Sequence, residues 1–192
     1  MWKYGFDKRI ILGSQSPRRQ MLMQELGLDF DVKVIKMEET YPDHIQAADV
    51  AQYLAEKKAK QVPFLKEGEL LVTADTTVVV NDIILGKPED EEEARQMLTT
   101  LSGRTHQVIT GVAMKSKEKF VSFDDTTEVY FRTLSDYEID YYIKEYKPFD
   151  KAGAYGIQEW IGMVGINRIL GSYFTVMGLP IHMIYQNMKI FV

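Results

Sequence analysis

Two apolar runs, Val78-Val79-Val80 and Ile83-Ile84-Leu85, are separated only by Asn81-Asp82. Asn and Asp tolerate the left-handed backbone that a two-residue hairpin requires, so this stretch is expected to fold back as an antiparallel pair. That single turn argues against a strictly parallel, doubly wound sheet. Elsewhere short apolar runs alternate with segments of helical period. Ile10 to Gly13, Phe30 to Ile35 and Leu70 to Val72 read as strands, and Gln107–Met114 and Val121–Phe131 as a pair joined through Lys115-Ser116-Lys117. The expected class is therefore α/β, a mixed sheet with flanking helices.

Local signals place the helices. Ser16 precedes Pro17 and a helix carrying Met21, Leu22 and Leu26 that stops near Gly27, the order expected of an N-cap, a proline at the first helical position and a glycine past the end. Ala47 to Val62 has helical spacing and ends before Pro63. Asp90 caps a helix with Ala94, Met97, Leu98 and Leu101 inward and Gly103 beyond it. Ser135 and Glu138 form a capping box for a helix that Pro148 ends, and Pro180 to Met188 closes the chain as an amphipathic segment. A glycine-rich stretch, Gly153 to Gly178, lies between. No linker or repeat interrupts the 192 residues, which are read as a single domain.

Composition removes several function classes. A net charge of −5 disfavours stable nucleic-acid binding, which draws most of its affinity from basic residues on phosphates. With no cysteine in the chain, disulfides, thiolate nucleophiles and Cys-based zinc sites are excluded. The opening MWKYGFDKRI carries no signal-peptide pattern and no run approaches a membrane span, so a cytoplasmic location is expected by default. A small anionic substrate remains open if a few cations converge.

Three places carry charge where folding alone would not put it. Arg18 and Arg19 occupy a helix's first turn, where the macrodipole disfavours cations by roughly 0.3–1 kcal/mol each. Either they point to solvent, or an anion held by backbone N–H groups, Ser14 and Ser16 resolves the conflict. Lys58 shares a helical sector with Val50, Ala51, Leu54 and Val62, so it either snorkels outward or reaches a buried anion. Lys57 and Lys60 read as solvated charges. Asp75, within Thr73-Ala74-Asp75-Thr76, is either a turn residue or a functional carboxylate. Lys87 follows the next strand, as a surface lysine or as one turned to the same place. His44, His106 and His182 lack ligand spacing, and Tyr137, Tyr141, Tyr142 and Tyr146 read as packing. Neither a dinucleotide fingerprint nor a P-loop pattern is present.

Leu12-Gly13-Ser14-Gln15-Ser16-Pro17-Arg18-Arg19, Leu54-Ala55-Glu56-Lys57-Lys58-Ala59, Ala74-Asp75-Thr76 and Gly86-Lys87-Pro88 stand in order. Leu101-Ser102-Gly103-Arg104-Thr105-His106, the segment from Asp150 to Gln158, and Gly171-Ser172-Tyr173 follow. Together they resemble the Maf family of nucleotide pyrophosphatases across nearly the whole chain. The resemblance implies a mixed α/β fold of two lobes around a central cleft, like that of the inosine triphosphatases, and homodimeric assembly. It implies hydrolysis of a nucleoside triphosphate to its monophosphate and pyrophosphate with a divalent cation, Mg²⁺ or Mn²⁺.

By the same resemblance Asp75 looks like the catalytic carboxylate, and Ser14, Arg19, Lys58 and Lys87 like phosphate-site residues. Glu39, with Glu38 one residue away as the other reading, looks like the acidic partner that helps Asp75 hold metal. Arg18, Thr76 and Gln158 match the positions that sense the base, in the form similar to the branch acting on dTTP and UTP. The branch preferring 7-methylated GTP tends to carry tryptophan at the first and glutamate at the last. Leu170 and Thr175 depart from the family's usual polar residue and asparagine around Gly171-Ser172. Two other readings fit the same residues: a nucleotide-binding regulator of cell division without turnover, and a house-cleaning pyrophosphatase for modified purine triphosphates.

Overall fold

The computed structural model of the protein describes residues 6–192; the first five residues of the opening segment lie outside the described residues. The strands are β1 (Arg9–Leu12), β2 (Phe30–Val32), β3 (Glu69–Val80), β4 (Ile83–Leu85), β5 (Thr105–Lys115), β6 (Phe120–Phe131) and β7 (Ile166–Leu170). The helices are α1 (Pro17–Glu25), α2 (Val50–Lys60), α3 (Glu91–Leu101), α4 (Asp136–Tyr146), α5 (Trp160–Gly165), α6 (Tyr173–Met177) and α7 (Ile181–Met188). The strands form one sheet in the order β2-β1-β3-β5-β6-β7, with β4 on β3. β1 pairs in parallel with β2 and β3, whereas β4 and β7 pair antiparallel with β3 and β6. The mixed sheet expected from the sequence is the one observed.

The hairpin is made by the residues that required it: Asn81 and Asp82 take φ of 49° and 62° and bring Val80 opposite Ile83. Ser16 accepts from the Arg19 amide, Asp90 from the Glu93 amide, and Ser135 and Glu138 close a reciprocal capping box. Four differences stand out. β2 ends at Val32 rather than Ile35. The helix expected from Ala47 begins as a 3-10 turn, Ala47–Asp49, and becomes α-helical at Val50. Leu70 to Val80 is one unbroken strand rather than two segments around a polar insert. The glycine-rich stretch contains α5, β7 and α6, which its low periodicity concealed.

The chain divides into two compact units, and β3, β5 and β6 contribute residues to both. The first comprises residues up to Asp75, Thr110–Asp125 and Gly178–Val192; the second comprises Thr76–Ile109 and Thr126–Met177. In the first, Ala55, Ala59 and Val62 of α2 and the turn after it pack on Leu71 of β3 and Ala113 of β5. In the second, α3 and α4 supply the buried Leu98, Leu101, Ile139 and Tyr142. Among the described residues no helix is long and apolar enough to cross a membrane.

Candidate active site

Side chains alternate along a strand, so Leu71, Thr73 and Asp75 share one face of β3. Leu71 packs in the α2 core, and Thr73 Oγ1 donates to the Ala55 carbonyl at 2.7 Å. That face therefore lies under α2. The approach is close because Gly111 of β5 is bare: a Cβ there would stand 2.3 Å from the backbone of Gln52. Asp75, 7% exposed in the middle of a strand, is no turn residue. A carboxylate so placed requires a partner.

Lys58 supplies it. Its ammonium donates to Asp75 Oδ1 and, at 3.0 Å, to Glu39 Oε1, and the residue is only 9% exposed. The snorkelling alternative is excluded, because the apolar stripe of α2 points Lys58 at a buried anion rather than along the surface. Of the two candidate glutamates, Glu39 is the one whose carboxylate reaches Lys58; Glu38 contributes a carbonyl oxygen to Lys57 instead. Lys57 corrects the reading of it as a solvated charge. Its ammonium donates to the carbonyls of Glu38 (3.0 Å) and Thr40 (2.7 Å) and to Thr40 Oγ1 (3.0 Å), tying down the loop that carries Glu39. No sequence signal pointed to this, since the acceptors are main-chain atoms of an irregular loop.

α1 brings in the third charged group. The guanidinium of Arg19 donates through Nε to the Gly178 carbonyl and through Nη1 to the Ala74 carbonyl, both at 2.8 Å, and to Ser14 Oγ at 3.4 Å. Burial pushes its pKa down; Asp75 and Glu39 oppose this and Arg18 adds to it. A guanidinium stays protonated regardless, so a fixed positive charge stands beside the Asp75 strand. Ser14 is buried and also accepts from the Ser16 amide at 3.2 Å. The solvent-facing alternative is thus excluded for Arg19, and Arg18 lies near enough to act on it electrostatically.

Ser14, Arg19, Glu39, Lys58 and Asp75 are all held within the first unit. Thr76 follows Asp75 along β3 but belongs to the second, as do Lys87 and Gln158. Lys87 is exposed in the turn after β4, and the Gly86 carbonyl before it accepts from the Gly153 amide at 2.9 Å. This bond ties the Lys87 turn to the segment that leads to Gln158. Gln158 Oε1 is buried and has no hydrogen-bond partner, a costly state for an amide oxygen.

The tyrosines divide. Tyr142 is fully buried, Tyr146 stacks on it and Tyr141 packs edge-on against Trp160, so the packing reading holds for these three; Tyr137 is 77% exposed and, among the rings of the described residues, meets only Tyr141. His106 is buried against Phe131 and Tyr155, consistent with a structural role. Leu170 is exposed at the end of β7. The loop after it is held by Thr127, whose hydroxyl accepts from the Ser172 amide at 2.8 Å and donates to its carbonyl at 3.0 Å. The hydrogen bonds between Thr127 and Ser172 therefore involve neither Leu170 nor Thr175.

A family model described as Maf-like protein matches residues 9–191. The chain is 52% identical over 183 residues to a dTTP/UTP pyrophosphatase of Phocaeicola vulgatus, covering 94% of this chain and 95% of that one. It is 49% identical to the protein of the same name from Porphyromonas gingivalis, over 95% and 94% of the two chains. A third, from Flavobacterium johnsoniae, is 48% identical over 93% and 92%. The chain belongs to the Maf family. A solved HAM1 protein from Coxiella burnetii is a distant likeness, with a TM-score of 0.41 at 19% identity over 65% of this chain and 73% of that one, and bears no argument. In this Maf protein the ordered motifs fall on the elements just described: the first on β1 and the start of α1, the second on α2, the third at the centre of β3.

Proposed function

We propose that this Maf protein hydrolyses nucleoside triphosphates, with dTTP and UTP preferred, to the monophosphate and pyrophosphate. The observation that carries the reading is the convergence of the exposed Glu39 carboxylate on the buried Lys58–Asp75 pair, beside the fixed guanidinium of Arg19. A structural ion pair would need one lysine and one carboxylate. A second carboxylate, and an arginine placed against its own helix dipole, suit a polyanion that has to be gripped and then attacked. Relatives sharing about half the residues carry the name dTTP/UTP pyrophosphatase, which supports the same reading.

In this reaction water attacks the α-phosphorus, its oxygen forms the new bond to phosphorus and the α–β bridging bond breaks, releasing pyrophosphate. Asp75 takes the proton of the attacking water, and Lys58 holds the carboxylate in place. Arg19, Lys58 and Ser14 bind phosphate oxygens, and Lys87 adds a further cation. Arg18, Thr76 and Gln158 sense the base. The Gln158 amide, which can both donate and accept, suits the N3–H and the neighbouring carbonyl of a uracil or thymine ring.

The donor set also fits a divalent cation. Glu39 and Asp75 already converge on one positive centre, the Lys58 ammonium, and both are oxygen donors. Two carboxylates completed by water and substrate oxygens suit Mg²⁺ or Mn²⁺; among the described residues no group of three His, Cys, Asp or Glu would hold a metal unaided. Such a cation would supply charge neutralisation at the phosphates. Homodimeric assembly and a cytoplasmic place of action belong to the same reading. The test is a screen of natural and modified triphosphates with Mg²⁺ or Mn²⁺, scored by pyrophosphate release. Fastest release from dTTP and UTP is expected; retention of nucleotide with no monophosphate formed would overturn it.

A further inference from the structure

A glutamine distinguishes uracil from cytosine only if its amide cannot rotate. Turning it by half a circle exchanges oxygen for nitrogen and presents the pattern that the other base requires. The site must therefore contain something that sets the rotation of Gln158, and the surrounding residues supply a candidate. Gln158 Nε2 and the Glu159 carboxyl carbon each lie 3.0 Å, and Lys151 Cε 3.1 Å, from the point where a Cβ on Gly156 would stand, so the amide nitrogen and the carboxylate of the Glu159–Lys151 pair line one gap that only glycine leaves open. A carboxylate there attracts the amide N–H₂ and repels the amide oxygen.

Glu159 is itself immobilised. The buried Tyr142 hydroxyl donates to its Oε2 and accepts from the Gly156 amide at 3.0 Å. The Lys151 ammonium, 7% exposed, meets Oε1 at 3.1 Å and Asp150 Oδ1 at 2.6 Å. The base-reading role of Gln158 does not account for this network. A turn that only had to be rigid would need no buried ammonium, carboxylate and phenol around one glutamine.

We propose that Glu159, held by Tyr142 and Lys151, is a positioning residue that fixes the rotation of the Gln158 amide, so that the site selects bases with a ring N–H beside a carbonyl and rejects cytosine. The inference rests on the functional reading above, for which Gln158 faces the base. Its test is the ratio of kcat/KM for UTP over CTP, measured for the whole protein and for Glu159→Gln and Tyr142→Phe. Dissociation constants for the α,β-methylene analogues of both nucleotides are measured in parallel.

Glu159→Gln keeps the shape and removes the charge; it is expected to lower the UTP-to-CTP ratio about tenfold or more, chiefly by improving CTP. Tyr142→Phe is expected to shift the ratio the same way by less. A purely structural role would lower both substrates together and leave the ratio unchanged, as would an irrelevant network, and that result overturns the inference. So does a wild-type protein that treats UTP and CTP alike. If wild-type protein releases no pyrophosphate from any triphosphate, the functional reading fails, and the binding ratios still decide whether Glu159 sets selectivity.

Discussion

α1 and α4 both begin with a serine cap, yet they use charge in opposite ways. At α4 the capping residue Glu138 serves its own helix: it accepts from the Ser135 amide and pairs with Arg132. The sign agrees with the macrodipole, and every contact lies within six residues. At α1 the first turn carries Arg18 and Arg19, the sign the dipole disfavours, and Arg19 reaches the Gly178 carbonyl 159 residues away and the Ala74 carbonyl next to Asp75. Charge that agrees with its local field maintains an element. Charge set against that field marks a place where something else is meant to bind.

The comparison breaks most directly at the carboxylate that α1 helps to surround. Asp75→Asn keeps the shape and one acceptor for Lys58, so the protein should remain folded by circular dichroism while pyrophosphate release falls about 10²–10⁴-fold. Turnover near that of the unmodified protein would remove Asp75 from the reaction. Next in size is Lys58→Met, which takes the ammonium partner from the buried Asp75 carboxyl. A stability loss of about 3 kcal/mol in urea unfolding is expected. Combining it with Asp75→Asn should recover part of that loss but none of the activity. Losses in the two single variants that simply add up in the double variant would show that the pair is not energetically coupled.

The smallest effect belongs to α4. The hydrogen bond from Arg132, followed by those from the Ser135 amide and hydroxyl, holds the Glu138 carboxyl down at about 2. A carboxyl depressed in the folded state stabilises fully above its unfolded pKa, and the contribution fades as pH falls through the folded one. Glu138→Gln should therefore cost about 1 kcal/mol at pH 7, allowing for solvent screening. That difference should shrink from about pH 4.5 and vanish near pH 2, with kcat/KM unchanged throughout. A change in turnover would mean that the two helix starts are not separate in purpose.

Much of the fold was legible because its signals are local. Asn81-Asp82, the Ser16, Asp90 and Ser135 caps and the glycine after α1 each act through atoms a few residues away. The elements between Gly153 and Gly178 were not legible, since α5, β7 and α6 are five or six residues each and too short to show a period. For the site, misplaced charge pointed to Arg19, Lys58 and Asp75, but each allowed a solvent-facing or turn alternative. Lys57 and Glu159 gave no signal, because a charged residue on a helix or before one is ordinary by composition.

The amino-acid order by itself determined where chain segments start, turn and stop, and which charges sit uneasily in their own elements. Only the tertiary structure decided what those charges meet. Lys58 finds Asp75 because Gly111 lets α2 lie close on the sheet, and Arg19 finds Ala74 because β1 and β3 pair side by side. Whether a polar side chain faces water or a partner depends on what packs above it, and that comes from residues far away in sequence.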